Sequence, residues 1–242
     1  MGKKMSKMYS SNHNILLVGE GDFSFSSSLA TRFGSASNIV ATSLDSREEL
    51  VRKYSKAEEN LNVLENLGCK ILHGIDVHTM SKRACLKRKR FDRIVFNFPH
   101  AGFFYREHDA RQIRLQQDLL RGFLRNAKNI LENDGEVHIT QKTGYPYDEW
   151  GIGNIAEEVG LFLKSQVPFH KDKYPGREGP RKKLQHGKEK VKNVQWQSQY
   201  SAGGRGRFLL LFIFSHKIWF CIQHCCYFPR FKRGVGEEVF KS

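Results

Sequence analysis

The stretch that most constrains the fold is Ile15-Leu16-Leu17-Val18-Gly19-Glu20-Gly21-Asp22-Phe23-Ser24-Phe25-Ser26, an apolar run that breaks into a Gly-x-Gly turn and then a Ser-rich helix start. Ile15 to Val18 suit a strand buried on both faces, as in a parallel sheet. Gly19 and Gly21 permit a tight turn and close backbone approach to a ligand. The turn carries acids: Glu20 and Asp22 would repel a pyrophosphate, and no Gly stands three residues after Gly21. The dinucleotide fingerprint Gly-x-Gly-x-x-Gly therefore fails at its third position. A nucleoside that carries positive charge suits this loop better.

The rest of the chain repeats the strand and helix alternation. A short helix is expected over Ser24 to Arg32, capped by Asp22 or Ser24 and ended by Gly34. A second strand, Asn38 to Ser43, closes on Asp45, placed where an acid of a doubly wound sheet meets ribose hydroxyls; capping of the next helix is the plainer role for it. Arg47 to Leu67 reads as one long amphipathic helix with Leu50, Tyr54, Ala57, Leu61, Leu64 and Leu67 on its stripe. A third strand from Lys70 ends on Asp76. Phe91 to Asn97 is the fourth and delivers Asn97-Phe98-Pro99-His100 at its carboxyl end. Asp109 to Leu131 is a helix with an apolar stripe (Ile113, Leu120, Leu124, Ala127, Leu131) and a row of arginines (Arg111, Arg114, Arg121, Arg125). That row either follows a phosphate backbone or is a soluble face. Gly135 to Thr140 and Leu161 to Val167 supply two more strands, with Lys142 in the loop after the first. The order predicts an α/β sandwich with a parallel central sheet and right-handed connections. Ligands in such sheets bind beyond the carboxyl ends of the strands, the layer that holds Glu20, Asp22, Asp45, Asp76, Asn97 and Lys142. S-adenosylmethionine has no phosphate and carries a sulfonium and an ammonium, which matches the charge of this layer.

The chain has 242 residues, 39% of them hydrophobic, enough for one sizeable core. Its net charge of +15 is uneven, with 16 Lys/Arg against 5 Asp/Glu between Lys171 and Ser242. A polyanionic partner such as RNA is favoured, although basic tails are also simply solvated. Lys82 to Arg90 is a second basic run, read as a solvated face, a nucleic-acid patch or a nuclear address. The N-terminus, Met1-Gly2-Lys3-Lys4-Met5-Ser6, has the outline of a myristoylation site, and no apolar signal region precedes the first strand. Five cysteines, three of them at Cys221, Cys225 and Cys226, point to reduced thiols; no second pair completes a zinc site, so no metal is expected.

Gly-Glu-Gly-Asp-Phe-Ser-Phe-Ser at 19 to 26, Ala-Thr-Ser-Leu-Asp-Ser at 41 to 46, Asn-Phe-Pro-His at 97 to 100 and Gln-Lys-Thr-Gly-Tyr-Pro-Tyr at 141 to 147 resemble the eukaryotic 25S rRNA uridine-N3 methyltransferase-like domain, its plant members most of all. The resemblance runs from about Asn14 to Gly176 and includes Lys173-Tyr174-Pro175-Gly176. It divides the chain into a polar N-terminal segment (1–13), a methyltransferase-like domain (14–176) and a divergent basic tail (177–242). What it implies is a Rossmann-like, S-adenosylmethionine-dependent enzyme that methylates N3 of a uridine in pre-ribosomal large-subunit rRNA. It also implies a nucleolar or nuclear site of action, with the cytoplasm as alternative. A monomer without membrane insertion is expected. Family members usually continue with an Arg-Gly-x-Gly element and a last strand, whereas here Arg177-Glu178-Gly179-Pro180 leads into a Lys-rich segment. Phe208 to Phe214 is then the candidate for the missing strand, and the apolar runs around it are too short and broken for a membrane span.

By this resemblance the loop of Gly19, Glu20, Gly21, Asp22, Phe23 and Ser24 seats the methionine part of the cofactor, Asp45 takes the ribose hydroxyls and Asp76 the adenine amine. Asn97-Phe98-Pro99-His100 stands where amino-methyltransferases carry Asn/Asp-Pro-Pro-aromatic, in which Asn and a backbone carbonyl, here that of Pro99, hold the target nitrogen. His100 is the expected base for the uridine imide, or else only stacks on it. Lys142 is expected to stabilise the developing imidate oxygen. Phe103, Phe104 and Tyr105 are read as base-stacking residues or as core. Two other classes stay open: a catalytically impaired RNA-binding relative and a nicotinamide-dependent oxidoreductase.

Overall fold

The computed structural model describes residues 8–169 and 208–215. The myristoylation-like N-terminus, Lys173 to Gly176, the Lys-rich segment after Arg177 and Cys221, Cys225 and Cys226 lie outside the described residues. The elements run β1 (Ile15–Val18), α1 (Ser24–Phe33), β2 (Ile39–Thr42), α2 (Arg47–Lys53), α3 (Ala57–Asn66), β3 (Lys70–Leu72), α4 (Ala84–Lys87), β4 (Phe91–Asn97), α5 (Ala110–Ile130), β5 (Leu131–Lys142), α6 (Ile152–Glu158), β6 (Leu161–Pro168) and β7 (Phe208–Ser215). They build one seven-stranded sheet in the order β3-β2-β1-β4-β5-β7-β6.

Strand period 2 distributes the central residues to two cores. Leu16 and Val18 pack with Phe123, Leu124 and Ala127 of α5 and Ile155 of α6. Ile15 and Leu17 pack with Leu29 of α1, Leu50 of α2 and Leu61 and Leu64 of α3. Helices therefore cover both faces, as the continuous apolar runs of the strands require.

The expected parallel sheet is corrected at one place: β7 runs antiparallel to both β5 and β6. Thr140 opposes Leu210 on one side and Val167 opposes the same residue on the other. The sheet thus draws on residues beyond the boundary drawn at Gly176, and the candidate last strand is in place. The N-terminal segment is likewise no detached leader from residue 8 on. Tyr9 is buried, and its hydroxyl meets Nδ1 of the buried His138, whose Nε2 meets Glu136. Burial lowers the His138 pKa, while Glu136 opposes that shift.

The single helix expected over Arg47 to Leu67 is two. A capping box opens α2, Ser46 accepting from the Glu49 N–H and Glu49 from the Ser46 N–H. Tyr54 then leaves the helical region at φ −131, ψ 116. Leu50, Ala57, Leu61 and Leu64 of the stripe are buried, but the break turns Tyr54 toward the carboxyl edge of the sheet, where it lines the cavity described next. In α5, Asp109, expected as the first helical residue, is instead the cap, its side chain accepting the Arg111 N–H. The arginine row is partly spent within the molecule: Arg111 pairs with Asp109, and Arg121 with Asp118 and Glu158.

Candidate active site

The strand order reverses between β1 and β4, and the crevice beyond their carboxyl ends is where open α/β sheets bind ligands. A cavity of about 350 Å3 lies there. Its walls are the Gly19–Gly21 turn after β1, Ser43 to Asp45 after β2, Tyr54, Ile75 to His78 after β3, Phe96 of β4, His100 to Gly102, Phe104, and Leu119 of α5.

Gly19 sits at φ +64, and a Cβ on it would stand 2.5 Å from the Phe96 ring. A side chain here meets both left-handed strain and a fixed aromatic. Gly19→Ala is expected to cost about 2–5 kcal/mol, the sum of a left-handed alanine and an overpacked contact. Urea unfolding checks this, and an unchanged midpoint contradicts it.

The cavity is acidic. Glu20, Asp45 and Asp76 line it, and among the described residues no Lys or Arg does. Glu20 is buried and accepts from the Ser26 N–H (3.2 Å) and hydroxyl (2.6 Å), which ties the turn to the first turn of α1. Asp45 is held at 2.7 Å by Lys53 of α2, and Asp76 accepts the His78 N–H at 2.8 Å. Burial and the carboxylates of Asp45 and Asp22 push the Tyr54 phenol above its ordinary range, so it stays protonated.

Not every residue of the first turn reaches this cavity. The wall ends at Gly21. Asp22 instead accepts the Ser24 N–H, and Phe23, left-handed at φ 58, is fully buried in the core under α1. Ser24 begins α1 and is buried. Asp22, Phe23 and Ser24, expected around the cofactor, thus stand outside the wall of this cavity: the left-handed Phe23 turns the chain inward one residue before the helix starts.

The Asn97-Phe98-Pro99-His100 turn is also built on a left-handed residue, Phe98 at φ 52. Such a backbone persists only when packing overdetermines it. Here the Phe98 ring lies edge-on to Phe169 and Phe208, and its N–H donates to Thr140 O. Asn97 is buried; its Oδ1 accepts from the Thr140 hydroxyl at 2.8 Å, and its Nδ2 finds no acceptor among the described residues. The Pro99 carbonyl accepts from Gln116 Nε2 at 2.8 Å.

His100 faces both the cavity and a small second cleft bounded by Glu107, Gln112, Gln116, Pro146, Tyr147 and Trp150. Its Nδ1 accepts the Gly102 N–H at 2.9 Å, so the neutral ring carries its proton on Nε2. Burial pushes its pKa down to about 4, with Glu107 opposing and Lys142 assisting. The basic nitrogen is thus already engaged, which argues against the general-base role and for stacking. The ring lies on Phe103 with centroids 3.9 Å apart.

Behind it stands a chain of groups that sequence reading did not connect. Lys142 Nζ donates to the Tyr147 hydroxyl at 3.0 Å, and that hydroxyl donates to Glu107 Oε2 at 2.8 Å. Burial lowers the Lys142 pKa and Glu107 raises it. Burial and Glu107 together raise the Tyr147 phenol. Gln112 and Gln116, one helical turn apart on α5 and both buried, were missed as well; their i, i+4 spacing beside an otherwise apolar stripe was the available signal.

A seven-stranded sheet with one reversed strand, switch-point cavity and acid-bearing glycine turn defines the class of Rossmann-like S-adenosylmethionine-dependent methyltransferases. The fold is shared with the TehB-like SAM-dependent methyltransferase of Corynebacterium glutamicum, at TM-score 0.50 and 17% identity, over 88% of this chain and 86% of that one. Within this class the chain belongs to the BMT5-like family, whose model, described as rRNA (uridine-N3-)-methyltransferase BTM5-like, matches residues 16–179. Uncharacterized protein At4g26485 of Arabidopsis thaliana is 54% identical over 178 residues, which is 73% of this chain and 85% of that protein. The 25S rRNA (uridine(2634)-N(3))-methyltransferase of Saccharomyces cerevisiae is 28% identical over 221 residues, 69% of this chain and 66% of the yeast protein. Among the described residues no group of side chains is arranged to hold a metal ion, and no helix is long and apolar enough to cross a membrane.

Proposed function

We propose that this chain transfers a methyl group to N3 of a uridine in large-subunit rRNA, in the nucleolus or nucleus. The observation that carries the reading is the cavity at the switch point, with three carboxylates and no Lys or Arg in its described wall. Even with Asp45 paired to Lys53, the remaining carboxylates favour a cationic nucleoside and oppose the pyrophosphate of a nicotinamide cofactor. Its volume lies in the range of small-molecule sites. The Gly19–Gly21 backbone holds the methionine part, Asp45 the ribose hydroxyls and Asp76 the adenine amine. S-adenosylmethionine, when bound, supplies an electrophilic methyl carbon on its sulfonium.

The uridine imide must lose its N3 proton before or as it attacks. Lys142 takes that proton: burial weakens its hold on the charge, and Tyr147 fixes its amine in place. The ammonium so formed faces the charge that develops on the uracil oxygen. Asn97 Nδ2 donates to a uracil carbonyl, which relieves a buried donor that costs about 1–3 kcal/mol while unmet. His100 stacks on the base. These groups bring two reactants together in one orientation, from which most of the rate of a displacement can come.

Purified protein, incubated with pre-rRNA and methyl-labelled donor, is expected to yield 3-methyluridine on nucleoside digestion and mass spectrometry. Label in another nucleoside, or none despite good binding of S-adenosylhomocysteine, contradicts the assignment. In the same assay Asp45→Asn weakens S-adenosylhomocysteine binding roughly 10- to 150-fold, the worth of a hydrogen bond to a charged group.

A further inference from the structure

Two large aromatic side chains stand in water on the loops around the site, Phe104 in the cavity wall and Tyr145 next to Pro146 of the second cleft. Phe104 is 72% exposed and Tyr145 is 69% exposed. Leaving such rings in solvent is costly, and a molecule that stiffens the backbone beneath them pays ordering entropy as well. The loop that carries Phe104 is stiffened. The side chain of Gln112, itself buried, donates to Gly102 O at 2.6 Å and accepts the Tyr105 N–H at 3.1 Å, so one amide clamps the backbone on both sides of Phe103 and Phe104. Gly102 at φ +93 has no Cβ, and one added there would stand 2.9 Å from the Phe104 ring. The flanking rings are stacked inside the loop, His100 on Phe103 and the Arg111 guanidinium 4.0 Å from the Tyr105 ring centre. Tyr145 belongs to the loop after β5 and reaches the same structure, its hydroxyl donating to His108 O.

We propose that Phe104 and Tyr145 are a stacking platform for unpaired bases of an RNA strand beside the target nucleotide, so that the enzyme takes its substrate from single-stranded or looped RNA and not from continuous duplex. This rests on the methyltransferase reading above and names the substrate class of that site. Phe104 lines the donor cavity itself, which brings this ring of the platform to the site of methyl transfer. The charge fits a polyanion: Arg106, on the same loop as Phe104, and Arg114, in the first turns of α5, are exposed, and among the described residues no ion pair takes them up. Duplex bases are already stacked on one another and offer the rings no face, whereas a splayed base does.

The test compares binding of a 12-nucleotide single-stranded RNA and a blunt-ended, loop-free 12-base-pair RNA duplex by fluorescence anisotropy, with S-adenosylhomocysteine binding measured in parallel. Phe104→Ala and Tyr145→Ala are each expected to weaken single-strand binding roughly 5- to 150-fold, the range of base-on-aromatic stacking, and to leave duplex binding unchanged. The ratio of variant to wild-type affinity is expected to hold between low and moderate salt, since stacking is not screened. Phe104→Trp is expected to keep the affinity and to lose indole fluorescence when RNA binds. Unchanged single-strand affinity, equal losses on both RNAs, or a wild-type self-association that both alanine variants abolish overturns the platform. Lost S-adenosylhomocysteine binding or methyl transfer in the wild type, with stacking intact, overturns the methyltransferase reading instead.

Discussion

Lys142→Met is expected to slow methyl transfer about 100- to 10,000-fold, the usual worth of a positioned general base. Because Lys142 does not line the donor cavity, S-adenosylhomocysteine affinity is expected to stay as it is. The base must be neutral to take the N3 proton, so kcat rises with pH through the Lys142 pKa. Burial sets that pKa below its usual 10.5 and thereby enlarges the neutral fraction at any given pH. Glu107 acts in the other direction and raises it. Glu107→Gln, which keeps an acceptor for the Tyr147 hydroxyl but removes the charge, is therefore expected to move the rising limb of the kcat–pH profile to lower pH. A role limited to packing would leave that limb where it is. His100→Ala is the matching control: a ring with a pKa of about 4 and its Nδ1 engaged contributes no limb near neutrality. Single-turnover rates across pH decide the matter, and a Lys142→Met enzyme as fast as the wild type removes the lysine from the reaction.

Much of the architecture could be read from residue order because the central strands are short apolar runs that give way to a polar residue or a glycine. Ile15 to Val18 and Phe91 to Asn97 stand where their apolarity put them, and Asp45 and Asp76 meet in one cavity because both close a parallel strand. What stayed hidden depends on single backbone angles or on residues brought from separate loops. The left-handed Phe23 takes Asp22 and Ser24 away from the cavity, and no pattern in the chain marks it. The extended Tyr54 interrupts a helical stripe whose apolar spacing continues on both sides, so periodicity alone joins α2 and α3. Lys142, expected in a loop, is the last residue of β5, and it and Tyr147 meet Glu107 of the loop after β4 only in three dimensions. The run Phe208 to Phe214 was visible as a strand. Its reversed insertion between β5 and β6 was not, because this strand, the last in chain order among the described residues, pairs inside the sheet and not at its edge.

That insertion makes β7 the element on which both sheet and site depend. Leu210, Leu211 and Ile213 are 2%, 2% and 0% exposed. At about 1.5–3 kcal/mol each, their burial sums to about 5–9 kcal/mol, against about 5–15 kcal/mol for the whole stability of an ordinary domain. Without β7 the backbone ladders of β5 and β6 lose their shared partner. The strand also reaches the site, since Phe208 packs on the ring of left-handed Phe98, beside Asn97 and His100. Ile213→Asp, which buries an unpaired charge between β5 and the helices of one face, is expected to abolish cooperative unfolding. Phe214→Ser, at a half-buried ring that Lys164 covers from outside, is expected to cost only about 1–2 kcal/mol. Thermal and urea unfolding followed by circular dichroism separate the two. If Ile213→Asp melts like the wild type, β7 contributes neither to the core nor, through Phe98, to the turn that carries Asn97 and His100.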